Sequence, residues 1–234
     1  MIAGMPDVSK KYLYIVLIII MSVFVACNSA KNSSKGLTEE EQAYRTAIDN
    51  RSAKIVATLN IPDSAKFYKV RDVIAKQYRD LKDLQEGRDS QIQQINEKYA
   101  GNKGEADVQV KNAKRASEVK VNKLHKDYLK RLDKYLSAEQ IDKIKDGMTY
   151  GVFPLTYKAH LDMIPTLKPE EKKYIWDALY EAREIAMDGG SSDEKHAIFG
   201  KYKGRINNYL AARGYNLTQE REAWYKRIDA AKKN

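Results

Sequence analysis

The chain of 234 residues is poor in the residues that carry covalent and metal chemistry: one cysteine, Cys27, and three histidines. A single cysteine excludes an internal disulfide. His125, His160 and His196 show no spacing of the His-x-x-x-His kind, so neither a metal site nor a cofactor is expected. Proline and glycine are sparse, at five and twelve, and the alternation of β-branched residues typical of strands is almost absent. What remains is 32% charged and 43% hydrophobic, a balance suited to helices that confine their apolar residues to stripes. The expected fold is all-α, a helical bundle with a long antiparallel hairpin and a more irregular C-terminal helical half.

The N-terminus reads as an export signal. Lys10 and Lys11 precede an uncharged, mostly apolar run from Tyr12 to Ala26, and Cys27 follows at once. The run is shorter than the roughly 20 residues a membrane-spanning helix needs. Phe24-Val25-Ala26-Cys27 resembles the bacterial lipobox, in which a small residue precedes the cysteine that becomes lipidated, with Phe24 where leucine is usual. The competing reading is an uncleaved span in which Cys27 is an ordinary apolar residue. Lipidation of Cys27 would leave the mature chain without a thiol, and with it without cysteine catalysis. The expected organisation is a signal peptide over 1–26, a polar tether over 27–36 and one helical domain over 37–234. The expected place is the outer membrane, on its periplasmic or its cell-surface face.

The whole chain carries +10, and removal of residues 1–26, with Lys10, Lys11 and Asp7, leaves +9. In an exported protein this points to anionic surfaces or polyanionic polysaccharides and not to nucleic acid. Interspersed charges of both signs are equally explained as solvated helix faces.

Thr38-Glu39-Glu40-Glu41 has the spacing of a capping box and opens a helix that Pro62 ends. Phe67, Val70, Ile74, Tyr78, Leu81, Ile92, Ile95 and Tyr99 continue at helical steps, with an interruption expected at Gly87. A turn at Ala100–Gly104 leads to a third stripe from Val110 to Tyr135, so residues 64–136 are expected to form a long hairpin. His125 falls in this arm and reads as a surface residue. Ser137 recaps a short helix that the segment Gly147–Gly151 breaks, and Val152–Pro165 reads as a short helix in an irregular connection. Pro169 starts a helix to Met187, Asp188-Gly189-Gly190 stops it, and Ser191 caps the next.

The most unusual stretch is MDGGSSDEKHAIFGKYKGRINNYLAARGY, Met187 to Tyr215. Gly200 and Gly204 each cost about 1 kcal/mol relative to alanine inside a helix. Close approach of a neighbouring helix, or of a ligand, would account for them. Phe199, Tyr202, Ile206 and Tyr209 form the stripe expected to bury, while Gly200, Gly204 and Asn208 make a bare, amide-bearing ridge beside it. Tyrosine offers area and a polar end to a sugar, and Tyr150, Tyr157, Trp176, Tyr180, Tyr202 and Tyr209 all fall in the second half. The candidate ligand-binding residues are Tyr157, Asp188, His196, Tyr202, Arg205 and Asn208, within a ligand-binding half over 137–215. Aromatic stripes at helical spacing are also ordinary core.

Three blocks, Ala57–Leu81, Asp146–Pro165 and Glu181–Leu210, resemble a helical family of exported bacterial proteins of unknown function that bears a sugar-binding label. Helix starts at Leu37, Leu136, Leu167 and Leu217 also resemble those of the periplasmic Leu-Thr-x-x-Gln chaperones, a pattern that capping alone can produce. Gly200-Lys201-Tyr202-Lys203-Gly204 lacks the spacing and hydroxyl of a phosphate loop. Asp188, Asp193 and Glu194 could supply acids to a glycosidase but sit where helix capping explains them. The reading is a non-enzymatic, lipid-anchored carbohydrate-binding accessory protein of the cell envelope whose partner is an oligo- or polysaccharide. The alternative is a periplasmic chaperone or envelope adaptor that meets protein partners through the hairpin.

Overall fold

In the computed structural model the described residues are 37–233. The expected signal peptide, tether and Cys27 lie outside the described residues. Among the described residues eight helices follow one another without a strand: α1 Glu39–Ala57, α2 Ser64–Lys98, α3 Lys103–Asp133, α4 Ala138–Met148, α5 Val152–Met163, α6 Pro169–Ala186, α7 Ser192–Ala212 and α8 Leu217–Lys233. The fold is all-α. No helix among them is long and apolar enough to cross a membrane.

The chain divides into two units, one up to Thr46 and one from Ala47 onward. In the first, the described part is the start of α1, where the Glu41 amide donates to Thr38 Oγ1 at 3.1 Å and Arg45 pairs with Glu41 at 3.0 Å. The second holds the rest of α1 and the other seven helices.

Within the second unit α2 and α3 pack against each other as the expected hairpin. Asp63 Oδ1 accepts from the amides of Ala65 and Lys66 to start α2, and Asn102 Oδ1 accepts from Glu105 to start α3. Such caps are each worth about 1 kcal/mol. Val70, Ile74, Tyr78 and Leu81 of α2 are buried, as are Tyr128 and Leu132 of α3. Tyr128 donates its hydroxyl to Met148 Sδ of α4 at 3.2 Å. Between Gln85 and Ser117, by contrast, only Ala106 and Ala113 are buried.

The C-terminal core comes from α5, α6 and α7. Phe153, Ile164, Ile175, Leu179, Phe199 and Ile206 are among its buried members, and Tyr202 packs with them. Ser137 and Gln140 close a complete capping box at α4, and the Lys168 amide donates to Glu171 Oε2 at 2.8 Å at the start of α6.

One local expectation needs correction. Gly87 does not interrupt α2, because a helix of 35 residues absorbs the cost of one glycine. The segment Gly147–Gly151 ends α4 as expected, with Met148 its last residue, and Gly147 lies against Ile55, whose Cγ atoms would be 3.0 Å from an added Cβ. Val152–Met163 is the expected short helix, regular over its whole length. Pro154 falls in its first turn, where no intrahelical amide is required, and Gly151 precedes it with a left-handed φ of 67°.

The glycines of the 187–215 block also read differently in three dimensions. An added Cβ at Gly200 or Gly204 would meet nothing within 4 Å among the described residues, so close packing of a neighbouring helix does not account for them. Close approach occurs instead at Gly190, where a Cβ would collide with the carboxamide of Gln85. Alanine at position 200 or 204 should therefore stabilise the protein by about 1 kcal/mol each. Alanine at 190 should cost about 1 kcal/mol, since Gln85 must swing away and give up its hydrogen bond. Thermal and urea unfolding of the single variants tests both signs. A loss of stability in Gly200→Ala would contradict the open surface assigned to that ridge.

Candidate functional site

Asp188, in the turn after α6, is reached from both arms of the hairpin. Gln85 of α2 donates its Nε2 to the Asp188 carbonyl at 3.3 Å, and His125 Nδ1 of α3 meets Asp188 Oδ2 at 2.7 Å. The other face of the imidazole points at Glu184, with Nε2 4.0 Å from Oε2, and that oxygen accepts from Lys145 Nζ at 2.8 Å. His125 sits between two carboxylates, chiefly bonded to Asp188, which outweighs its burial and raises its pKa above the ordinary 6.5. Asp188 Oδ1 is buried without a hydrogen-bond partner among the described residues. The expectation that His125 is a plain surface residue is corrected: its side chain is 19% exposed and joins the hairpin to the C-terminal half.

This junction forms one wall of a groove of about 620 Å³ between the hairpin and the segment 184–198. Arg88, Lys114 and Asn122 face it from the hairpin, and Val121, Ile185 and Ile198 supply its apolar part. Guanidinium, ammonium, amide, imidazole and carboxylate groups thus converge over a small apolar patch, a lining suited to a polar ligand. Among the described residues no hydroxyl is hydrogen-bonded to His125. Nor do the described residues contain a cluster of three His, Cys, Asp or Glu side chains able to hold a metal ion.

One row of α6 leads into the groove. Trp176, Tyr180 and Glu184 recur every fourth residue, which places them on one face, and Asp188 continues the step beyond the helix end. Ile175, Leu179, Ala182 and Ala186 take the buried face. Trp176 remains 45% exposed and Tyr180 39%, unusual for rings that also touch the core. Both are braced from beneath. Trp176 meets Phe153 with ring centroids 4.6 Å apart at 69° and Tyr157 at 5.1 Å and 84°, while Tyr180 meets Phe153 at 6.4 Å and 87°. The buried Arg183 guanidinium lies 4.9 Å from the Tyr180 ring and 5.1 Å from Phe153. It pairs with Asp142 at 2.7 Å and Asp146 at 2.9 Å. Burial raises the Asp146 carboxyl despite Arg183 beside it.

The residues singled out in the sequence do not gather in one place. Asp188 lines the groove, and Tyr157 stands half-buried against Trp176. His196 is exposed, stacks on Tyr150 at 5.6 Å and bonds to the Ser192 carbonyl of its own helix. Tyr202 is only 5% exposed and belongs to the core, where burial raises its phenol pKa beside Glu181. Arg205 lies 4.7 Å over the Tyr202 ring. Arg205 and Asn208 are exposed on the open Gly200–Gly204 ridge, and neither lines this groove. Sequence reasoning missed His125, Gln85 and Glu184. The four-residue recurrence Trp176-Tyr180-Glu184-Asp188 was the signal available for the last, whereas His125 and Gln85 acquire meaning only through tertiary contact.

Fold and site thus define an all-helical protein with a hairpin clamped to a polar groove. Residues 45–230 match the family described as "Protein of unknown function (DUF3826)", and the chain belongs to that family. No curated protein matches it.

The His125–Asp188 pair should make stability depend on pH. Because the folded chain holds the imidazole proton more tightly than the unfolded chain, the pair's contribution is complete below about 6.5. It is lost as pH rises through the raised folded-state value. Urea unfolding on both sides of neutrality should show the stability gap between the natural protein and His125→Gln narrowing as pH increases. A gap that widens with pH would contradict the bonded, protonated imidazole.

Proposed function

We propose that this protein is a non-enzymatic, lipid-anchored carbohydrate-binding accessory of the bacterial cell envelope. The reading rests on one observation, the α6 row in which two exposed rings, Trp176 and Tyr180, lead to the polar groove at Glu184 and Asp188. A sugar presents C–H groups on one face and hydroxyls around its rim. Rigid, partly exposed aromatic rings suit the first, and the amide, guanidinium and carboxylate groups of Asn122, Arg88 and Asp188 suit the second. From Trp176 to Asp188 the row spans roughly 18 Å at 1.5 Å per residue, enough for a short oligosaccharide. The apolar leader ending at Cys27, and the resemblance to exported proteins bearing a sugar-binding label, support the envelope location and the ligand class.

A helical adaptor for other proteins is the second reading, and one feature favours it. Between Gln85 and Ser117 the hairpin buries only two alanines, and its surface exposes Val108 and Val119, at 52% and 65%.

Calorimetric titration with neutral and acidic oligosaccharides tests the first reading. Binding is expected, with an affinity loss of about tenfold in Trp176→Ala, the size expected for losing one stacked ring. Intrinsic fluorescence should change on binding and should keep that change in Trp224→Phe. Absence of binding to every glycan class, or full affinity in Trp176→Ala, would remove the proposal.

A further inference from the structure

Near the turn of the hairpin a second cavity, of about 460 Å³, opens between α2 and α3. Four carboxamides line it, Gln91 and Gln94 from one helix and Gln109 and Asn112 from the other, with the small side chains of Ala113 and Ala116 holding the gap open. Gln109 donates its Nε2 to Glu105 Oε1 at 2.8 Å, which fixes the amide and leaves its carbonyl oxygen as an acceptor. Among the described residues Gln91, Gln94 and Asn112 make no side-chain hydrogen bond within the chain, so their donors and acceptors are available to a ligand. The Lys98 ammonium stands 5.2 Å from the half-buried Tyr99 ring and is paired with no carboxylate among the described residues. No acid lines this cavity, whereas Glu118, Glu184, Asp188 and Glu194 line the groove at α6.

We infer that this cavity is a second saccharide site, selective for sugars that carry a carboxylate. The inference rests on the carbohydrate reading above and confines the preference for a carboxylate to this site. Each carboxamide offers two donors and an acceptor, the mixture a hydroxyl-rich ring requires. An ammonium held in no ion pair among the described residues supplies the charge-assisted bond that a uronate carboxylate completes, and the Tyr99 ring offers a face to the sugar's C–H groups. The volume falls within the range of small-ligand sites, about 300–1,000 Å³.

The experiment is calorimetric titration of the protein with a neutral hexose trisaccharide and with the uronate trisaccharide of the same linkage. Two equivalents of the uronate and one of the neutral sugar should bind. Lys98→Gln should weaken the hairpin site for uronate about tenfold, the effect of losing a hydrogen bond to a charged group. Gln94→Ala with Asn112→Ala should weaken it also, and Trp176→Ala should leave it intact. These side chains are exposed, and unchanged helical circular dichroism and melting would establish that the variants fold. Uronate binding unaffected by Lys98→Gln, or abolished by Trp176→Ala alone, would overturn the hairpin site. Neutral sugar binding retained in that case leaves the α6 reading standing. Uronate binding that depends on Lys98, with no neutral binding at all, would sink the α6 site and uphold this one.

Discussion

The arrangement depends on Asp188. Its carbonyl takes the Gln85 amide at 3.3 Å and its carboxylate takes His125 at 2.7 Å, so one residue just past α6 is held by both arms of the hairpin. The contact is charge-assisted and shielded, with the His125 side chain 19% and the Asp188 side chain 12% exposed, conditions under which a hydrogen bond is worth more than at the surface. Gly190 is the steric counterpart: only a residue without a side chain leaves room for Gln85 there. The groove exists because these contacts hold the start of the 187–215 block against the hairpin.

Helix α6 carries two tasks on opposite faces. Ile175, Leu179, Ala182 and Ala186 are buried against the core, while Trp176 and Tyr180 are exposed. The fully buried Arg183 lies between them. Burying a guanidinium is costly unless it is paired, and Asp142, Asp146 and Glu184 supply the pairs. Its stacking against Tyr180 and Phe153 stiffens the same rings that stand exposed above. Lys195 shows the opposite limit. Its ammonium donates to the Met148 carbonyl at 3.0 Å, and burial lowers its pKa to about 8. The folded protein therefore bears a cost below that value, which is relieved as pH rises from about 8 toward 10.5.

The helices were legible because they follow from local chemistry. Ser137 with Gln140, Lys168 with Glu171, and Ser191 with Glu194 mark helix starts through short-range bonds. The apolar stripe of Val70, Ile74, Tyr78 and Leu81 announces a buried face by its period. The expected interruption at Gly87 fails because a lone glycine has the same local cost whether or not the rest of the helix offsets it. The block from Met187 to Tyr215 stands out in the sequence for Gly200 and Gly204, whose Cβ positions are open, whereas the crowded glycines are Gly189 and Gly190 at the junction. Which glycine is crowded depends on Gln85, a hundred residues away in the chain, and no local pattern carries that. For the same reason Tyr202, Arg205 and Asn208 looked like neighbours of Asp188 along the sequence but lie away from the groove that Asp188 lines.

The most direct test is a map of where a bound oligosaccharide touches the protein, by chemical-shift perturbation in the isotopically labelled chain. The Trp176 indole, the Tyr180 ring and the amides around Glu184, Asp188 and Asn122 are predicted to shift together along one saturable binding curve. Shifts confined to the ridge of Gly200, Gly204 and Asn208, with Trp176 and Asp188 unmoved, would contradict the central claim that α6 and the clamped groove form the ligand surface.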